Sequence, residues 1–398
     1  MAMYNTIYLD NNATTKVAPE VFEAMRPYLS DSYGNPASGH SLGRLASKAV
    51  ERARQQVATL LGAEHADEIV FTSCGSESDN WAIRAVLQAN PGKRHIVTTQ
   101  VEHEAVRNLC SNLEKDGYEV SWLGVDGQGL LDLQHLKAAL RPDTAIVSVM
   151  LANNETGVLF PIEEIGQLVR EHSRAVFHVD GVQAVAKIPI DLKKTPVDLF
   201  ALSAHKFHGP QGVGALFVRQ GIELSPFIVG GQQEKGRRAG TSAVPNIVGL
   251  GAACELASKD ESHDRVRELR DQFESLVLGR IPNARLNGTP EKQLPNTSNI
   301  SFAYLEGSDI MARLDERGIC VSTGSACHSS TRQSSPTLLA MGVPSFLVQG
   351  SVRFSLGRYT TPAEIEKTTE VLPAIIEHLI ESSPNKEEID SYLNANPG

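Results

Sequence analysis

From about residue 68 onward, short apolar runs alternate with amphipathic stretches. EIVFTS (68–73), HIVTTQ (95–100), AIVSVMLAN (145–153), AVFHVD (175–180), DLFALSA (198–204) and VGALFV (213–218) read as strands. They are rich in β-branched residues and nearly continuous in hydrophobicity, as strands buried on both faces should be. Between them, Glu77–Leu87, Glu104–Lys115, Leu133–Leu140 and Ile162–Glu171 carry a helical period. This alternation predicts an α/β domain around a mostly parallel sheet.

The pattern changes near residue 260. The stretch 258–281 reads as a long polar–apolar helix, followed by a strand-like NTSNISFAYL, a Ser/Gly-rich loop, SVRFSL (351–356) and a helix from Pro362 to about Ile380. A smaller α+β domain is expected here. The last residues, SSPNKEEIDSYLNANPG, are polar and are expected to fray.

Composition adds limits. The 398 residues are 41% hydrophobic and 21% charged, which is ordinary for a globular chain, and the net charge of -10 disfavours general binding of nucleic acid or anionic membrane. Lys235, Arg237 and Arg238 form a local basic cluster that could still take an anion. Five cysteines, Cys74, Cys110, Cys254, Cys320 and Cys327, fit no disulfide framework or CxxC zinc site, so a reducing, cytoplasmic setting without a resident metal is expected. No apolar stretch approaches the roughly 18 residues that a membrane span needs.

Candidate chemistry lies where strands end. In TSCGSESDNWAIRAV (72–86) a strand gives way to Gly75 and Ser76 and then a helix, whose free N–H groups could take an anion. Taken alone, a plain strand-to-helix turn with Ser76 as N-cap is the favoured reading there. Asp180 ends the strand of FHVDGVQAV, with Gln183 three residues on; an N-cap aspartate is the bland alternative. SAHKFHGP (203–210) is more specific, since a lysine at a strand end between Ser203, His205 and a Gly-Pro turn is unusual. A partly buried lysine has a lowered pKa and can form a Schiff base. Lysine, carboxylate and phosphate cradle together fit pyridoxal phosphate.

At this point the chain closely resembles the NifS/IscS-type cysteine desulfurases. The likeness runs from YLDNNATT (8–15) to RFSLGRYTT (353–361), through YGNPAS, FTSCGSESDN, VEHEAV, NNETG, HVDGVQAV, SAHKFHGP, GRRAGT and STGSACHS in order. It implies a fold-type I pyridoxal phosphate enzyme: a large domain (16–260) with a mostly parallel seven-stranded sheet, a small α+β domain (1–15 and 261–384) carrying the cysteine loop, and a polar tail (385–398). It also implies roles. Lys206 would carry the cofactor and move protons. His103 would stack on its ring and assist acid–base steps. Asp180 would pair with the ring nitrogen and Gln183 with the ring hydroxyl. Gly75, Ser76, Ser203 and His205 would hold the phosphate, and Thr241 would reach the phosphate of a neighbouring subunit in a homodimer. Asn154 and Arg353 would bind the substrate carboxylate, although Arg353 alone reads as a surface salt bridge.

The thiol loop STGSACHSSTRQSS (322–335) then makes sense. By the resemblance, Cys327 takes sulfur from L-cysteine, leaving L-alanine and a persulfide for acceptors such as iron–sulfur scaffolds; a transient cluster on Cys327 is the only metal contact expected. A Ser/Gly-rich loop gives such a thiol reach. His328 is a candidate to favour its thiolate, against a solvated loop histidine. Cys110, Cys254 and Cys320 read as structural. The alternatives are a selenocysteine lyase or cysteine sulfinate desulfinase, and, from another class, a non-catalytic sulfur-carrier or scaffold subunit.

Overall fold

The computed structural model describes residues 6–323 and 334–395. The readings of Cys327 and His328 lie outside them.

Seven strands form the large sheet, in the order Ile69–Thr72, Gly214–Val218, Leu199–Ser203, Val176–Asp180, Thr144–Ser148, His95–Thr99, Glu119–Leu123. Gly214–Val218 runs antiparallel to both of its neighbours, and every other pairing is parallel. The expected mostly parallel sheet is therefore present, with its six anticipated strands. The count of seven implied by the resemblance is met, but the apolar pattern did not place the seventh, Glu119–Leu123. It is an edge strand, exposed or half-buried except at Leu123, so it lacks the continuous apolar run of the inner strands.

Helices cover both faces. One core holds Val97, Val147, Val179, Phe200, Phe217 and the buried stripe of Ser41–Leu61. The other packs Trp81, Val86 and Leu109 against Val70, Ile146 and Leu216. The alternation of side chains along each strand divides its residues between the two cores.

A separate core lies beyond residue 260. The antiparallel strands Ala284–Leu286, Thr297–Phe302 and Ser351–Ser355 pack Ile300, Phe302 and Phe354 against Phe273 and Val277 of His263–Arg280 and Ile376 of Pro362–Ser382. The N-terminal Leu9 belongs to this core, brought there by the parallel pairing of Ile7–Tyr8 with Ile319–Cys320. The expectation of a frayed end is corrected. Lys386–Ala395 is helical because Ile389 is fully buried in the same core and Tyr392 packs on Tyr304 and Phe346.

Gly181, just after Asp180, is required by packing. A Cβ there would stand 1.9 Å from Cζ of the fully buried Phe200. Gly181→Ala is expected to cost about 1–3 kcal/mol, lowering the melting temperature by several degrees. Gly92→Ala, with nothing within 4 Å of the added Cβ, is expected to leave it unchanged.

Candidate active site

The carboxyl ends of the large sheet's strands converge on one cavity of about 640 Å³, counting its open mouth. Five of the strands hand over lining residues at or just past their ends, as in open α/β sheets generally, while Gly214–Val218 and Glu119–Leu123 contribute none. Gly75, Ser76, His103, Asn154, Asp180, Gln183, Ser203, His205 and Lys206 all line it, so nine of the anticipated positions meet there.

The helix Gly75–Ala89 points its start at this cavity. Its N-cap is Cys74, which makes no side-chain cap bond, so Ser76 is not the cap and the first-turn N–H groups are left without one. Beside them, the Ser203 hydroxyl is buried without a hydrogen-bond partner. A buried unmade hydrogen bond is costly. Free backbone donors, a helix dipole and an orphan hydroxyl on one wall suit a phosphate.

The same cavity holds a titratable trio, Asp180, His103 and Lys206. Burial pushes the Asp180 carboxyl above the usual range, while His103 and Lys206 pull it back. One Asp180 oxygen accepts from Val182 N at 2.9 Å, which is the local capping role that the bland reading gave it. Burial holds the His103 imidazole below its ordinary value. Its Nδ1 accepts from Ala105 N at 3.1 Å, so the neutral ring carries its proton on Nε2. The Lys206 amine donates to the carbonyls of Asn12 at 2.7 Å and Ala13 at 3.0 Å. Burial, with Lys206 adding to it, lowers His205 to about 4, and its Nδ1 lies 3.1 Å from Thr14 Oγ1.

Arg353 is not on the surface. It is 6% exposed, donating to Asp10 Oδ1 and to Asn154 O, each at 2.9 Å. Its Nε is buried without a partner. It stands behind Asn154 rather than on the cavity wall. Thr241 is exposed and outside the cavity. The anticipated basic cluster is largely engaged, since Lys235 pairs with Asp67 and Arg238 with Glu77.

The flanks of the thiol loop are anchored close by. Ser322 pairs with Arg353 through the backbone, and Ser335 Oγ donates to Glu155 Oε2 at 2.6 Å, one residue past Asn154. Cys110 and Cys254 are buried and suit packing roles. Burial pushes Cys110 up to about 12 and raises Cys254 too, so both stay protonated and unreactive.

Sequence reasoning missed Asn12, Asp79, Glu102 and Lys187. The doubled asparagine of DNNATT and a lysine inside the apolar GVQAVAKIPI were the available hints. Asp79 and His178 are buried with Oδ1 and Nε2 3.5 Å apart, too far for a hydrogen bond. Burial lowers His178 to about 3 and raises Asp79 well up, so the two face each other uncharged.

The comparisons with known proteins decide the family. The class-V aminotransferase model matches residues 7–368. The chain belongs to the class-V aminotransferase family. Within it, the chain groups with the cysteine desulfurases. A cysteine desulfurase of Trichormus azollae is 54% identical over 393 residues, 98% of each chain. The cysteine desulfurase NifS of Azotobacter vinelandii is 48% identical over 380 residues, 95% of this chain and 94% of that one. A solved structure described as a NifS-like protein superposes with a TM-score of 0.88 at 38% identity, covering 94% of this chain and all of that one. A structure described as SspA in complex with cysteine superposes at 0.79 and 36% identity, covering 89% of this chain and all of that one.

Glu102 yields a pH prediction. Burial raises it to about 8, with Oε1 bonded to Thr99 Oγ1 and Met150 N and Oε2 unpartnered. The folded value lies above the unfolded one. Its contribution is therefore full below about pH 4.5 and is lost as pH rises through about 8. Glu102→Gln removes this titration. The wild-type melting temperature should fall more steeply than the variant's between pH 5.5 and 8.5. Parallel curves would mean that Glu102 is ionised when folded.

Proposed function

We propose that this cysteine desulfurase takes sulfur from L-cysteine with pyridoxal phosphate held at Lys206, releasing L-alanine and leaving a persulfide on Cys327. The observation that carries the reading is the single cavity in which Lys206, Asp180, His103 and Gln183 face an uncapped helix start and the orphan Ser203 hydroxyl. These residues fit the cofactor: the helix start, Ser203 and His205 for its phosphate, Asp180 for its ring nitrogen, Gln183 for its ring hydroxyl.

When bound, the cofactor supplies an electron sink for charge released at the substrate's Cα. The protein's residues do the rest. Asp180, kept from water by burial, would hold a proton at the ring nitrogen and so favour that charge. Lys206 would hold the cofactor, and its amine would take the Cα proton. His103, neutral and with its free proton on Nε2, would lie beside the ring and relay protons. Asn154 and Arg353 orient the substrate carboxylate; for the latter, the guanidinium fork matches a carboxylate once it is released from Asp10.

The Cys327 thiolate then attacks the substrate sulfur. A sulfur–sulfur bond forms, the carbon–sulfur bond breaks, and protons from the site complete L-alanine. The sum is balanced: cysteine and a thiol become alanine and a persulfide. The persulfide passes to acceptor proteins such as iron–sulfur scaffolds. The exposed Thr241 suits a homodimer in which it completes the neighbour's phosphate site. The odd cysteine count suits the reducing cytoplasm.

Two variants test the division of labour. Lys206→Ala should lose both the visible absorbance band and turnover. Cys327→Ser should keep the band and its spectral change on adding L-cysteine, yet form no protein persulfide, because a hydroxyl is a far weaker nucleophile toward sulfur than a thiolate. A persulfide-specific label with peptide mapping reads this out. Wild-type alanine and sulfide formation by Cys327→Ser would refute the assignment.

A further inference from the structure

Lys187 stands behind the cavity wall, four residues past Gln183, and has no place in the chemistry above. Its amine donates to Gln183 Oε1 and to Asn12 Oδ1, each at 2.9 Å. The other end of the same amide, Gln183 Nε2, donates to Asn12 O at 2.9 Å. Three short bonds thus close a ring through Lys187, Gln183 and Asn12.

This ring settles which way the Gln183 amide points. The Lys187 amine donates, so the atom facing it is the oxygen. A carbonyl can only accept, so the atom facing Asn12 O is the nitrogen. Reversing the amide would break both bonds at once, in a site where Gln183 is 6% exposed and Asn12 1% exposed. Gln183 lines the cavity, and its nitrogen keeps a second N–H.

The charge state agrees. No carboxylate is among the hydrogen-bond partners of Lys187, and the charged groups that face it, Lys206 and Arg353, are cations. Burial and both cations push its amine well below the ordinary lysine value. Both of its hydrogen bonds are donated to neutral amide oxygens.

We propose that Lys187 is a positioning residue that locks the Gln183 amide with its nitrogen toward the cavity, so that Gln183 offers the cofactor's ring oxygen a donor and never an acceptor. This rests on the cofactor reading given above.

The test is a pH titration of the visible absorbance band of the holoenzyme. A donor on the ring oxygen stabilises its ionised form and lowers the pH at which the neighbouring proton is lost. Lys187→Met frees the amide to turn, and the midpoint should rise by about half a unit to one unit, up to about tenfold in the ionisation equilibrium. Gln183→Ala should raise it similarly, and the double variant should go no further than Gln183→Ala alone. Lys187→Ala removes the amine without adding volume and carries the same expectation if Lys187→Met does not fold. A residue that merely packs would lower the melting temperature and leave the midpoint in place. An unmoved midpoint in the lysine variants, or additive shifts in the double variant, overturns the proposal while the cofactor reading stands. A wild-type protein without a visible band overturns both.

Discussion

Asn12 is the constraint on which the site depends. It is fully enclosed, and every polar group it carries is bonded. Its carbonyl receives Lys206 and Gln183, and its side-chain oxygen receives Lys187 and Asn296. Its side-chain nitrogen donates to Thr297 Oγ1 and Asn154 O, and its backbone N–H to Ser355 Oγ. One residue near the N-terminus thereby ties two strands of the smaller sheet to the catalytic end of the larger one. Buried polar groups are tolerated only when bonded, so losing any one partner leaves others exposed to that cost. The geometry at Lys206 is thus set by contacts that cross both cores.

A second constraint is electrostatic. Asp79 and Asp180 line the cavity and Glu102 is buried near them, and burial favours the protonated form of each. His103 and His178 are pushed toward the neutral form by the same burial. Desolvation outweighs pairwise attraction here, which is why the 3.5 Å approach of His178 to Asp79 is not an ion pair. Asp180 alone among the carboxylates has two cationic or titratable partners, His103 and Lys206, to draw its charge out. A carboxylate poised this way suits a protonated ring nitrogen.

Much of this was legible in the sequence, and for physical reasons. Strands buried on both faces cannot hide their apolar runs, so six of them could be placed, and residues at their carboxyl ends, such as Asp180 and Lys206, were located with them. Glu119–Leu123 escaped because an edge strand needs no such run. Lys386–Ala395 escaped because Ile389 alone of its residues is fully buried. Arg353 was ambiguous because its neighbours in sequence say nothing of Asp10, 343 residues away. Asn12 and Lys187 were missed for the same reason: their roles consist of bonds that only the fold creates, such as the one joining Gln183 to Asn12 across 171 residues.

The central assignment is that Lys206, of all the amines near this cavity, is the one that holds the cofactor. Borohydride reduction of the holoprotein, followed by proteolysis and mass spectrometry, makes that attachment permanent and locates it. The pyridoxyl mass is expected on the peptide containing Lys206 and on no other. The same mass on Lys187, or on any lysine outside the cavity, would contradict the assignment.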